Sequence, residues 1–269
     1  MNRLGVLGWP VAHSRSPAMQ NAALRATGLD DWHYQLLPVP PELFGQTVLG
    51  LPAAGFRGAN VTIPHKQAAL ALANAASDRA REIGAANTLL FKDDGQIWAD
   101  NTDAPALTNA LAQRVAIAGA SALILGAGGS ARAAAWALRD AGVGELLIWN
   151  RTPARAAELA SAFEARVTAL PLAEAEILVN CTSVGLHQQD ELEALLPSTH
   201  RLDKHRAVAD FVYREGATPL IRAARASGVA TVDGLELLIG QGAVAFELFT
   251  GVTAPVQAMR TALGLSSAP

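Results

Sequence analysis

Apolar residues in this chain fall into short runs bounded by glycine, proline and polar clusters, and the runs alternate with stretches of helical spacing. The pattern is clearest over residues 121–155, SALILGAGGSARAAAWALRDAGVGELLIWNRTPAR. An apolar run at 122–125 meets a glycine cluster. Ala131, Ala134, Ala135 and Leu138 then share one helical face, and a second apolar run at 145–149 follows Gly142-Val143-Gly144. That order predicts strand, tight turn, helix and strand, one βαβ unit. Upstream, the same reading predicts strands at 4–8, 33–39 and 58–63, with helices from Pro17 to a stop at Gly28 and at 41–49, 67–74 and 77–83. A hairpin of 88–92 and 96–99 turns at Asp93-Asp94-Gly95, and a helix covers 104–115. Downstream come a helix finishing at 157–163, strands at 166–170, 177–180, 207–212 and 229–232, and helices at 218–226, 235–250 and 255–263. Residues 187–205 read as a polar loop.

The class is therefore α/β, and 269 residues with 51% hydrophobic side chains can build two cores. Two domains are favoured because the βαβ unit begins only near residue 121. A net charge of −3, with no basic run carrying interleaved aromatics, argues against a nucleic-acid partner. The single cysteine, Cys181, cannot form an internal disulfide, which fits a reducing cytoplasm, and it reads as a small buried residue because no histidine is locally paired with it. No stretch has the uninterrupted apolar length of a membrane span, and Met1-Asn2-Arg3 leads into a strand and not into a signal-peptide core. No metal-ligand cluster is evident. A homodimer is left open.

Candidate chemistry collects at the ends of elements. Gly126-Ala127-Gly128-Gly129-Ser130-Ala131 is the dinucleotide fingerprint in its alanine-ended form, lying between a strand and a helix. Gly126 permits the sharp turn, Gly128 lets backbone amides reach a pyrophosphate, and Ala131 lets helix and strand pack closely. The next strand ends in Asn150-Arg151-Thr152, with Arg155 a turn later, where enzymes preferring NAD usually carry an acid. Two guanidiniums and a hydroxyl suit the 2′-phosphate of NADP, although Thr152-Pro153 also reads as a helix cap beside solvated arginines. The turn at Thr182 lies where the second half of a dinucleotide is expected. Ser16-Pro17 reads as an N-cap and first helical residue, whereas Ser14 has no capping role, and both hydroxyls could hold a carboxylate. Strand periodicity puts Asn60 and Thr62 on one face. Lys66 opens a helix, so it either has its pKa lowered there or is exposed. Asn87 and Asp103 close further elements, and Gln241 lies in the middle of an apolar helix where its amide needs a partner.

Eight segments in order resemble the shikimate dehydrogenase family: residues 8–17 (GWPVAHSRSP), 60–66 (NVTIPHK), 84–89 (GAANTL), 101–103 (NTD), 126–132 (GAGGSAR), 150–152 (NRT), 210–213 (DFVY) and 233–246 (DGLELLIGQGAVAF). The resemblance implies an α/β substrate domain of residues 1–103, completed by helices at 235–269, and a Rossmann-type NADP domain at 104–234. It implies that Ser14, Ser16, Asn60, Thr62, Lys66, Asn87, Asp103, Tyr213 and Gln241 hold the substrate, with Lys66 and Asp103 as the acid-base pair. On the cofactor side it adds Thr182, Phe211 and Gly234 to the residues already named. The implied reaction is reversible reduction of 3-dehydroshikimate to shikimate by NADPH, in aromatic amino acid biosynthesis. A quinate/shikimate or aminoshikimate relative, or a noncatalytic sensor of nucleotide and cyclic acid, stays open beside it.

Overall fold

Short branched-apolar runs become buried parallel strands because each can be covered on both faces only when helices return the chain across the sheet. The computed structural model describes residues 1–169, 174–187, 189–214 and 216–265. It divides into two compact units, Met1–Thr102 with the chain from Leu238 onward, and Asp103–Leu237.

In the first unit the order is β1 (Asn2–Gly8), α1 (Ser16–Ala26), β2 (Trp32–Pro38), α2 (Phe44–Gly50), β3 (Phe56–Val61), α3 (Lys66–Leu72), β4 (Ala75–Ala76), α4 (Asp78–Ile83), β5 (Thr88–Phe91) and β6 (Ile97–Asp100). The sheet runs β2-β1-β3-β5-β6-β4. β1 is parallel to β2 and β3, whereas β5 is antiparallel to β3 and to β6. Register sets Asn60 opposite both Val6 and Thr88. Leu7, Phe44, Val48, Phe56, Ala59 and Leu89 form the core beneath this sheet. Proline at position 41 yields a 3₁₀ turn, Pro41–Leu43, before α2, so the helix expected at 41–49 is split. The two-residue β4 is too short for any periodicity to announce.

α9 (Gly234–Thr250), which starts within the second unit, and α10 (Val256–Ala262) bring the chain back. Gln20 of α1 donates to the carbonyl of Gly242 at 2.9 Å, and Arg15 donates to that of Leu263 at 3.1 Å. A Cβ on Gly58 would stand 2.5 Å from the Phe249 ring, which shows how closely α9 packs on β3.

The second unit contains α5 (Asp103–Ala112), β7 (Ser121–Leu125), α6 (Gly129–Asp140), β8 (Glu145–Trp149), α7 (Pro153–Ala162), β9 (Arg166–Val167), β10 (Ile177–Asn180), β11 (Ala207–Asp210), α8 (Pro219–Ala226) and β12 (Ala230–Val232). Its six strands are all parallel, in the order β12-β11-β10-β7-β8-β9. Counted from β7, this is the doubly wound dinucleotide order, reversing between β7 and β10. β11 stops at Asp210, two residues before the expected end. The far end of the strand expected at 166–170, and Gln188 of the polar stretch, lie outside the described residues. That polar stretch carries two 3₁₀ turns, Leu192–Ala194 and Leu202–Lys204.

Candidate active site

The carboxyl ends of β1 and β3 open into two turns that are stitched together. Trp9 N–H donates to Ile63 O at 3.0 Å and Thr62 N–H to Leu7 O at 2.8 Å, and each turn carries a cis X-Pro bond. β3 ends at Val61, so Thr62 lies past the strand and not on its pleat beside Asn60. Asn60 is buried, and its amide donates to Asn87 O at 3.2 Å and to the Thr88 hydroxyl at 3.1 Å, while its Oδ1 accepts from the Tyr34 hydroxyl at 2.8 Å. Asn87 extends the network. Its Oδ1 accepts the Thr102 N–H at 2.8 Å, and its amide reaches the Thr102 hydroxyl at 3.0 Å and Gln241 Oε1 at 3.5 Å. Gln241 donates in turn to Leu238 O at 2.8 Å, so its amide is met partly by its own helix.

Lys66 begins α3 at only 7% exposure. Its carbonyl accepts the Ala86 N–H at 2.8 Å, fixing it beside the segment that leads to Asn87. The neighbouring His65 is buried, stacked on Phe44 at 4.4 Å, with Nε2 2.7 Å from Val39 O. Burial pulls its pKa below the ordinary value, so the ring is a neutral donor to that carbonyl. Ser16 is not the cap. Arg15 occupies the N-cap position of α1 with no side-chain cap bond, because the helix starts one residue earlier than the Ser-Pro pair suggests, and Ser14 Oγ accepts the Ser16 N–H at 3.3 Å. Ser16 is buried and Ser14 half-buried.

The first unit therefore gathers Ser14, Ser16, Asn60, Thr62, Lys66, Asn87 and Gln241 around one sheet end and the helices beside it. Asp103 and Tyr213 belong to the second unit, where Asp103 is buried at the start of α5, directly after the Thr102 that Asn87 holds.

Around the switch point of the second sheet, Gly126 has φ +111°, and a Cβ there would meet the Cys181 backbone at 3.0 Å. Gly128, by contrast, faces open space and caps α6 with no side chain, and the first turn of that helix holds no acid. The N–H groups of Gly129, Ser130 and Ala131 thus present an anion site of the usual kind. Thr152 stands at the N-cap of α7 with Pro153 following it, as the capping alternative has it, although its hydroxyl makes no cap bond. Arg151, Thr152 and Arg155 are exposed, and among the described residues neither guanidinium has a carboxylate within ion-pair distance. Asn150 donates to Thr152 O at 3.0 Å and holds that turn. These groups fit a dinucleotide carrying a 2′-phosphate.

Thr182 is spoken for locally. Its N–H and hydroxyl donate to Asn180 Oδ1 at 3.0 and 2.8 Å, and its oxygen accepts from Val184 N–H at 3.1 Å. Cys181 is half-buried, where full burial was expected. Phe211 follows β11. Gly234 passes so close to Val212 that a Cβ would lie 2.3 Å from its carbonyl oxygen. Sequence reasoning gave no part to Tyr34, Thr88, Thr102, Asn180, Asp210 or Thr218, nor to Asp100, whose carboxylate is gripped by Arg79 at 2.5 and 2.7 Å. Asn180 and Asp210 did leave a signal, since each is a polar residue ending an apolar parallel strand.

Both folds and both strand ends define a two-unit α/β protein of the dinucleotide-dependent oxidoreductase kind. Three family models match it: the shikimate dehydrogenase substrate binding domain at residues 6–89, shikimate / quinate 5-dehydrogenase at 109–197, and the shikimate 5′-dehydrogenase C-terminal domain at 234–263. A shikimate dehydrogenase (NADP(+)) of Paracoccus denitrificans is 44% identical over 92% of this chain and 90% of its own. The crystal structure of shikimate 5-dehydrogenase from Thermus thermophilus, in complex with NADP(H) and shikimate, superposes with TM-score 0.85 at 42% identity, covering 97% of this chain and 98% of that one. The ligand-free 5-ketofructose reductase of Gluconobacter sp. also shares the fold, at TM-score 0.83 and 30% identity over 97% of each chain. The chain belongs to the shikimate dehydrogenase family. Among the described residues no helix is long and apolar enough to cross a membrane.

Proposed function

We propose that this protein is an NADP-dependent shikimate dehydrogenase that interconverts 3-dehydroshikimate and shikimate, with the first unit binding the substrate and the second the cofactor. The observation that carries the reading is a buried ammonium, Lys66, at a sheet end whose amides and hydroxyls already form one network through Asn60, Asn87 and Gln241. Such a site suits a small ring bearing a carboxylate and several hydroxyls, because preset dipoles bind hydroxyls without reorganising. Ser14 and Ser16 take the carboxylate in this reading. Asn60, Thr62, Asn87, Tyr213 and Gln241 take the hydroxyls.

The cofactor would be held by the N–H groups following Gly126, Ala127 and Gly128, by Asn150, Arg151, Thr152 and Arg155 at its 2′-phosphate, and by Thr182, Phe211 and Gly234 towards its nicotinamide. When bound, NADPH supplies the hydride. As the carbonyl carbon gains that hydride its oxygen gains negative charge, which Lys66 stabilises as a cation and then neutralises by giving up a proton. In this reading Asp103 is the carboxylate member of the acid-base pair and takes part in returning the proton. In the reverse direction Lys66 removes the hydroxyl proton. The family resemblance adds the pathway role proposed here, the supply of an aromatic precursor.

The shared fold of a ketofructose reductase shows that the scaffold serves a second polyhydroxylated ketone, so substrate choice needs its own test. Absorbance of reduced nicotinamide is followed with shikimate or quinate, each with NADP⁺ or NAD⁺. Rapid reduction is expected only with shikimate and NADP⁺. Equal rates with quinate would move the assignment to a quinate/shikimate enzyme, and no reduction in any pairing despite NADP⁺ binding would refute it.

A further inference from the structure

We propose that Asp210 is a positioning residue whose ionised carboxylate locks together the two strand-end turns carrying Thr182 and Tyr213, and so sets the nicotinamide half of the cofactor crevice. The proposal rests on the functional reading above for what occupies that crevice. Asp210 ends β11 and has no exposed surface. One oxygen accepts the Asn180 amide at 2.8 Å and the Val212 N–H at 3.0 Å, and the other accepts the Thr218 hydroxyl at 2.6 Å. Asn180 and Val212 can only donate here and the Thr218 hydroxyl donates to the second oxygen, so the carboxylate accepts all three at once, whereas a proton on it would turn one contact around.

Each partner passes the constraint on. Asn180 turns its Oδ1 to the N–H and hydroxyl of Thr182, and its amide also reaches Val184 O at 3.3 Å. Val212 precedes Tyr213 and is wedged against Gly234, with no room for even a methyl group. Thr218 spends its oxygen on the Ile221 N–H, capping α8. A shift of the carboxylate therefore moves the turn after β10 and the turn after β11 at once. These strands lie beside β7 on one side of the switch point, where ligands of such sheets bind.

The ionised form is held at a cost, because burial, aided by the charge of Asp233, pushes the Asp210 carboxyl up to about 6. Asp233 is itself paired with Arg225 of α8. Glu191 lines the same small cavity as Asp210, and Arg214 turns to the carbonyls of Gly185 and His187. Arg222 of α8 turns to Ala217 O, and the flanking strands β10 and β12 carry no titratable side chain. Acidification through this range adds a proton where three donors already point, and one of them loses its acceptor.

The test measures NADP⁺ affinity by titration, and kcat and KM with shikimate, for the full-length protein and for Asp210→Asn, Thr218→Val and Thr218→Ser. Misplacement of a binding group can cost up to about 100-fold, so Asp210→Asn and Thr218→Val should raise Kd and KM for NADP⁺ by at least about tenfold, while Thr218→Ser stays within about twofold. The phosphate of NADP⁺ titrates in the same pH range, so affinity from pH 5 to 7.5 is read as the difference between wild type and Asp210→Asn, in which the phosphate contribution cancels. Wild-type affinity should fall more steeply below about pH 6. Wild-type affinity and pH profile in folded Asp210→Asn would overturn the proposal, as would equal losses in Thr218→Ser and Thr218→Val. Should Asp210→Asn fail to fold, the Thr218 pair decides alone. A wild-type protein that binds NADP⁺ but never oxidises shikimate would refute the functional reading and leave this binding comparison intact.

Discussion

Lys66 sits in the first turn of a seven-residue helix, where the dipole disfavours a cation, and yet its side chain is largely withdrawn from water. A lysine kept there for packing alone would be costly, which is why the proposed chemistry is assigned to it. Lys66→Ala should lower kcat by about 10²–10⁴-fold while NADP⁺ binding is retained, and unchanged turnover would dismiss the assignment. Arg151 is the opposite case, an exposed guanidinium with no carboxylate within ion-pair distance among the described residues, and the proposed function gives it a phosphate. Arg151→Ala should weaken NADP⁺ by roughly 10- to 100-fold and leave NAD⁺ unaffected, whereas equal losses for both cofactors would exclude a phosphate contact. His65 gives a stability prediction. Its folded pKa is depressed by burial, so the unfolded chain binds a proton more readily, and stability falls as pH drops below the unfolded value near 6.5. The slope of melting temperature between pH 7.5 and 5 should be shallower in His65→Gln, an amide that can still donate to Val39 O.

Among the elements, the turn between β7 and α6 is the least forgiving. Gly126 combines a left-handed φ with an approach to Cys181 that leaves no space for a Cβ. Gly126→Ala should therefore cost about 1–3 kcal/mol in stability, read by denaturant unfolding, and should weaken NADP⁺ as the helix start shifts. The same substitution at Gly128, which faces open space, should leave stability nearly unchanged. This turn was legible in the sequence because glycine spacing, an apolar strand and an amphipathic helix all demand one conformation. The hairpin around Asp93-Asp94-Gly95 was legible for a like reason. What escaped had no local signature of its partners, even where, as at Asn180 and Asp210, a polar residue ended an apolar strand. The N-cap of α1 moved from Ser16 to Arg15 by a one-residue shift of the helix start, which residue preferences do not resolve. Asp100 gave no sign of its grip by Arg79, and the triad of Asn180, Asp210 and Thr218 joins residues up to 38 positions apart through tertiary pairing that no spacing rule describes.

At the scale of the molecule, sequence pattern indicated two α/β bodies, and the parallel order of the second sheet adds what pattern could not, namely the position of the strand reversal beside Gly126 and Cys181. Asn87 and Gln241 stand far apart in the chain, and the return of α9 to the first sheet joins them. If each unit holds one ligand, each ligand should stabilise its own unit. Saturation at 100 times Kd adds about 2.7 kcal/mol against opening of the structure that binds it, enough to slow amide exchange roughly 100-fold where opening passes through the bound region. NADP⁺ alone should therefore protect residues 125–132 and 149–155 and leave 58–66 unchanged. Shikimate alone should protect 58–66 and 85–89 and leave 125–132 unchanged. Shikimate protection confined to the glycine turn, or NADP⁺ protection at Lys66 without change around Arg151, would reverse the assignment of ligands to units even if the enzyme proved active.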